Sequence, residues 1–452
     1  MDMFEMALKV TDGTSRMENT PWRLDGMNKA LRIFAALLLA PLLINAAEPY
    51  AAPSGPPSDR KWKLAFSDEF DGTTIDETKW IASDYTKWGH PSFKTRLAKE
   101  NCALDGQGHL VLRLTRDEDG TLAFNSGLQT RDFQKAFGYV ETRAQFSTQP
   151  GWWGFVCTIR NNTLPSYGHD PFENAQEFDI FEDFYKPKRE ASRPAAYQNV
   201  ICQAYHCTVG LGFQDQGDGS GVTASSRQKK NMLAVTKPGR VLRQVVHAPA
   251  EYGGWHTVGL RWGPLEQVFY VDGKETLRLT YKDTPITTVP QKLFVGGVYR
   301  TPPTPKKDGD KPPFYGWIED AKLPDQLVVD YVRWYDEDTG EKTAPTVTVT
   351  LDGRADALRH GQPATFRVHA ADNDGVVTSV HLFAKGYIRA EAKTDASQTD
   401  QVFTLSALFE GDNTLIAMAQ DNDGLVGLSA PLRVKVTVPG APKTEKAAQP
   451  AK

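Results

Sequence analysis

Cysteine is scarce, with four in 452 residues: Cys102, Cys157, Cys202 and Cys207. No two have the C-x-x-C spacing of a zinc site, which argues against that chemistry. Cys202 and Cys207 lie five apart in a strand-like run, so they point to opposite faces and pair only if the strand breaks. Buried free thiols are the simpler reading. An excess of positive charge is also missing. Lys and Arg total 52 against 56 Asp and Glu, for a formal net charge of -4, and no basic block stands out. Nucleic acid requires a concentrated cationic face, so it is set aside as a partner. Long apolar runs are absent too. The longest, within Ile33 to Ile44, falls short of the ~20 residues that span a bilayer. Convincing helical periodicity is lacking after it.

What is present begins with an export signal. From Met27 the chain reads MNKALRIFAALLLAPLLINAAEPYAA. Lys29 and Arg32 form a positive start, a short apolar core follows, and small residues come next, which is the layout of a secretory signal peptide over 27–47. The mature chain is therefore expected to be secreted or periplasmic, with no membrane span after cleavage. Residues 1–26 precede a better-placed Met and are read as an over-extended translation start. The Pro-rich residues 48–61 are read as a linker.

A β-rich region then runs over 62–336. Its alternating segments include HLVLRL, FGYVETRAQF, TVGLRW, VFYVDG and LVVDYVRWYD, with DG and GG turns between them. Many short strands in one block predict a sandwich or barrel and not a parallel α/β sheet. Trp255 and Trp262 alternate with apolar residues and are expected in its core. The stretch 337–345 reads as a connector. About seven strands over 346–437, from VTVTL to LRVKVTV, fit a small immunoglobulin-like sandwich. The phrase DNDG occurs there twice, at Asp372–Gly375 and Asp421–Gly424. It lacks the acidic ladder of a calcium loop and is read as a turn. The tail 438–452 is rich in Pro, Lys and Ala and is expected to be disordered.

The chemically informative segment is ENAQEFDIFEDFY, residues 173–185. Side chains alternate along a strand, so Glu177 and Asp179 share one face while Phe178 and Ile180 share the other. Strict alternation would then send Phe181 to the acidic face and Glu182 to the core. One extra residue, a β-bulge, restores Glu182 to the acids and leaves Phe181 in the distorted position. Two glutamates separated by four regular steps have Cα atoms roughly 13 Å apart. Long side chains leaning together can close that to the ~5–5.5 Å of a retaining glycosidase. One carboxylate would attack the anomeric carbon, and the other would protonate the leaving oxygen and later deprotonate water. Close like charges separate the two titrations that these roles require. Acids on the exposed face of an ordinary amphipathic strand are the plain alternative.

The run EFDIFE resembles the signature of glycoside hydrolase family 16 in its β-bulge branch, which includes laminarinases, agarases, porphyranases and carrageenases. The similarity extends to FSDEFDGTTIDETKW, ENCALDGQGHLVLRL, SGLQTRDFQKAFGYVETRAQF, WHTVGLRWGPLEQVFYVDG and LPDQLVVDYVRWYD, in the family's order. The resemblance implies an all-β chain: a concanavalin A-like β-jelly-roll sandwich over 62–336, followed by the smaller sandwich. It implies that a concave sheet forms a glycan cleft, with Glu177 as nucleophile, Asp179 as assisting acid and Glu182 as acid/base. No cofactor is required for this chemistry. A structural calcium on the convex side is implied near Glu69 and Asp330.

For substrate contacts, Trp152 and Trp153 fall where the family places cleft aromatics. Neighbours on a strand point oppositely, so one lines the cleft and the other packs inside. Where laminarinases read W-P-A-x-W, this chain reads WWGFVC. Trp88 is a candidate sugar platform, and His206 a candidate cleft residue. Tyr299, Arg300 and Trp317 flank a Pro/Lys-rich insertion over 301–313, read as a rim loop. The expected activity is endo-hydrolysis of a polysaccharide, a marine galactan or a β-1,3-glucan, by a monomeric enzyme. A lectin-like binding protein and a transglycosylase on the same fold are the rival readings. The C-terminal module is expected to serve as a spacer or in surface display.

Overall fold

The structure is a computed structural model describing residues 55–82, 95–124, 127–147, 149–159, 170–174, 176–184, 200–209, 239–247, 254–299, 317–406 and 408–437. The expected signal peptide, the extension before it, the 301–313 insertion, the tail and Trp88 lie outside these residues.

The chain is all-β, with only short 3-10 turns besides strands among the described residues. Among the described residues two sheets, one of ten strands and one of seven, form a jelly-roll sandwich. Trp62–Asp68 and Asp325–Glu337 pair antiparallel, so the first and last strands of this sandwich lie side by side. Alternation dictates which residues fill its interior. Phe178 stacks on Tyr205 at 4.6 Å between ring centroids and meets Trp262 at 4.9 Å. Trp262 and Trp334, each almost fully buried, find carbonyl acceptors at Thr287 and Phe137. Burying each such ring contributes roughly 1.5–3 kcal/mol, and the edge and stacked contacts add to that.

The opening FSDEF segment shows how one polar residue secures a bend. Phe70 takes a left-handed φ of 53°. Asp68 accepts from the Phe70 amide at 3.0 Å and from the Trp80 indole at 2.7 Å, holding the bend against the core.

Two sequence expectations are corrected. Residues 55–61 are not a free linker: the Gly55 amide donates to the Glu141 carboxylate at 2.9 Å, and Arg261 bonds Asp59 at 2.7 Å. Trp255 is half-buried outside the core, with the Arg143 guanidinium 4.5 Å from its ring centroid. Its strand partner is Gln145.

The segment from Thr346 to Val436 forms a second, smaller two-layer sandwich with sheets of three and five strands. It holds one strand more than the pattern suggested. The strand Tyr387–Ala396 was not legible because AEAKTD is mostly Ala, Glu, Lys and Asp, residues depleted in strands, and its burial alternates only weakly. Both DNDG phrases are turns. Asp372 accepts from the Asp374 amide, and Asp421 from the amides of Asp423 and Leu425.

The two sandwiches meet at the turn over 170–174. Phe172 packs with Phe383, Ile416 and Met418. Glu173 takes a bidentate bond from Arg433 at 2.7 and 2.9 Å and a third from Thr414 at 3.0 Å. A two-residue hairpin turn, Lys385 at φ 49° and Gly386 at φ 80°, presses on the same place. A Cβ at Gly386 would lie 2.4 Å from Pro171 and 2.7 Å from Pro285, so glycine serves both the turn and the contact. Pro171 is tied to the jelly roll by Thr287, which donates to its carbonyl at 2.7 Å.

Candidate active site

The seven-stranded sheet carries the acids on an interior strand, Glu177–Phe184, third from one edge. Its neighbours are Trp152–Ile159 and Val200–Val209. Along Trp152–Ile159, Asp179 pairs with Cys157 and Phe181 with Val156, so Ile180 has no partner. Along Val200–Val209, Asp179 pairs with Ala204 and Glu182 with Cys202. Ile180 and Phe181 therefore share the space opposite the single residue Gln203. Two residues against one is the definition of a β-bulge, and it falls where the sequence pattern requires it.

The physical cause is the Ile180–Phe181 doublet. Both side chains are fully buried, and Phe181 meets Phe146 edge-on at 4.9 Å. A regular strand would expose one of them at a cost of roughly 1.5–3 kcal/mol. The extra residue admits both to the core and returns Glu182 to the face shared by Glu177 and Asp179. Asp179 is 2% exposed and Glu182 8%, whereas Glu177 is half-buried. The three acids thus form a row that is most enclosed at its middle member, Asp179.

Cross-strand partners share a face, which places Phe155 beside Glu182. Phe155 stacks on Phe294 at 5.2 Å, with 16° between the ring planes. This aromatic pair was missed in the sequence, although the alternation from Trp153 to Phe155 carried the signal. His206 is the ladder partner of Glu177, and Trp152 and Trp153 pair with Tyr299 and Val298. The strand backbone of these three residues is described; their side chains lie outside the described part.

Gln203 is a second residue the sequence reading passed over. It is fully buried, and its amide donates to the Ile180 carbonyl at 2.9 Å, on the core side of the bulge. A glutamine in the buried phase of ICQAYHCTV was the available sign.

The calcium expectation meets a different arrangement. Arg333 takes the Glu69 carboxylate through two bonds of 2.6 and 3.0 Å, and Arg143 bonds Asp330 at 2.7 Å. Each carboxylate already faces a guanidinium. No group of three metal-ligating side chains occurs among the described residues. As placed, Glu69 and Asp330 do not make a calcium donor set.

A Laminin G domain family model matches residues 219–326, less than half of the chain. No curated protein matches. Among solved structures, the catalytic domain of an endo-1,3-beta-glucanase (laminarinase) from Thermotoga petrophila RKU-1 is 18% identical, with a TM-score of 0.42. That match covers 62% of this chain and 100% of that one. The laminarinase catalytic domain from Thermotoga maritima MSB8 is 20% identical over 61% and 98% of the two chains, with a TM-score of 0.42. SCLam, a non-specific endo-beta-1,3(4)-glucanase from family GH16, is 21% identical over 63% and 94%, with a TM-score of 0.41. Likeness at this level assigns no activity to the chain.

Proposed function

We propose that this chain is an exported, retaining, endo-acting β-glycoside hydrolase of the family 16 type, acting on a polysaccharide. The observation that carries the reading is the bulge at Ile180 and Phe181, which puts Glu177, Asp179 and Glu182 on one face of one sheet. In this reading Glu177 attacks the anomeric carbon and Glu182 protonates the departing oxygen. Glu182 then takes a proton from water as the glycosyl–enzyme ester is hydrolysed, so the configuration is retained. Asp179, nearly enclosed between the two in the row, orients the nucleophile and holds the two titrations apart. Its side chain is one methylene shorter than either glutamate, which suits it to assist and not to replace them.

The substrate class we carry is a marine galactan or a β-1,3-glucan. Release of new reducing ends from laminarin, agar, porphyran and carrageenan tests activity and substrate together. The anomer first formed, followed by proton NMR, tests retention. Glu177→Gln is expected to abolish turnover while leaving polysaccharide binding and the thermal transition intact. Full activity in that variant would overturn the assignment of the nucleophile. Binding without any release of ends by the native chain would favour a lectin-like protein instead.

A further inference from the structure

We propose that Gln203 is a positioning residue for the glutamate pair, acting as a buried clamp that fixes the bulge beneath Glu177 and Glu182. The proposal rests on the glycosidase reading above. A bulge removes regular ladder pairing, and the carbonyl it frees here faces the dry interior between the sheets. An unpaired buried carbonyl costs about 1–3 kcal/mol, so without a partner the strand gains by slipping back into regular register. Slippage by one residue would exchange the faces of everything beyond it.

Gln203 meets that carbonyl from the one position opposite the bulge. Its amide nitrogen has two protons, and both are used: one to the Ile180 carbonyl at 2.9 Å and one to the Tyr270 carbonyl at 3.0 Å. Tyr270 belongs to the ten-stranded sheet, so the clamp ties the acid-bearing strand to the opposite layer. The Tyr270 end is itself irregular. Phe269 pairs with Leu277 and Tyr270 with Glu275, leaving Thr276 as the extra residue of a second bulge. The Thr276 hydroxyl donates to Gln203 Oε1 at 2.6 Å, the shorter of its two contacts. One buried amide thus joins the extra residues of two bulges, one in each sheet, and its donors and its acceptor are all engaged. The arrangement has no use in a regular sandwich. It makes sense where the strand must hold an irregular register while substrate pulls on its outer face.

The test compares the full-length chain with Gln203→Met, which keeps the length and loses the donors. Thr276→Val, which leaves Gln203 in place but frees its oxygen, is the milder companion. Folding is checked by circular dichroism and the thermal transition. For folded variants, kcat is expected to fall roughly ten- to a hundredfold, the scale of a catalytic group displaced by about 1 Å, with KM changed far less. The pH profile of kcat is expected to shift as the carboxylate separation changes, a readout that loss of stability alone does not move. Thr276→Val should act in the same direction and more weakly. A folded Gln203→Met with native kcat and pH profile overturns the clamp while leaving the glycosidase reading standing. So does a native profile in Thr276→Val if Gln203→Met does not fold. If the native chain cleaves nothing, the glycosidase reading fails. Carbon-13 NMR titration of labelled glutamates then decides the clamp separately: unchanged Glu177 and Glu182 titrations in the variants would reject it.

Discussion

Phe181 and Glu182 are neighbours whose fates the bulge reverses, and alanine at each gives a sharp test of it. Phe181 is fully buried and packs edge-on against Phe146. Phe181→Ala removes a core ring and leaves a cavity, at a cost of about 3–5 kcal/mol. Glu182 lies on the acid face beside Asp179. Its removal takes away no aromatic core packing, but Glu182 is 8% exposed and has an interaction of its own, so Glu182→Ala is expected to cost about 1–2 kcal/mol, less than Phe181→Ala. For a domain of this size each kcal/mol moves the transition by ~2–4 °C, which gives Phe181→Ala a loss of roughly 6–20 °C and Glu182→Ala a smaller one of roughly 2–8 °C. Differential scanning calorimetry and urea titration followed by tryptophan fluorescence read both numbers. A regular strand predicts the reverse order, with Glu182 costly and Phe181 neutral. That reversed order, measured at neutral pH, would refute the bulge and the site built on it.

Further outcomes follow from the same structure. Gly386→Ala should destabilise the smaller sandwich and its seat on the turn over 170–174, because the new Cβ meets Pro171 at 2.4 Å and the backbone is left-handed. Proteolysis at the connector over 337–345 is expected to accelerate in this variant, and an unchanged rate counts against the packed interface. At Glu173, burial pushes the carboxyl up, but the bonds from Arg433 and Thr414 more than reverse this and hold it below its ordinary value. Its contribution is therefore complete above pH ~4.3 and is lost as the pH falls through the lowered value. Arg433 is largely exposed, so water and salt screen the pair and its contribution is small. The difference in Tm between native chain and Glu173→Gln should shrink toward zero in acid, and a constant difference from pH 7 to 3 would reject the ion pair. Burial pushes the Cys102 thiol up to about 12. Maleimide labelling of the folded chain at pH 8, located by mass spectrometry, should leave Cys102 unmodified, whereas fast labelling there would show that the strand Cys102–Leu104 opens.

The turn over 170–174 changes the view of the C-terminal sandwich. Three residues separate Glu173 from Glu177, so the contact with Arg433 and Thr414 lies at the entrance of the acid-bearing strand. The module read from sequence as a spacer or surface-display unit is packed against the segment that leads into the candidate site.

Much of this protein was readable along the chain. Alternation in segments such as FGYVETRAQF and LVVDYVRWYD specified strands, because side chains of period two must sort between core and solvent. The bulge was legible as well, since EFDIFE holds one apolar residue too many for strict alternation while keeping its acids. Other features belong to the tertiary structure. The polar strand Tyr387–Ala396 forms through its pairing with Val377–Ala384 across the two-residue turn, and not through its own propensity. Trp255 left the core because its strand position, opposite Gln145, faces outward beneath Arg143. Glu69 and Asp330 met Arg333 and Arg143 from elsewhere in the sandwich. Gln203 acquired its role only when two irregular strands from opposite sheets came within reach of one amide. Local pattern decides which way a side chain points, because that follows from backbone geometry. What it meets there depends on strands remote in sequence, and only the folded chain brings them together.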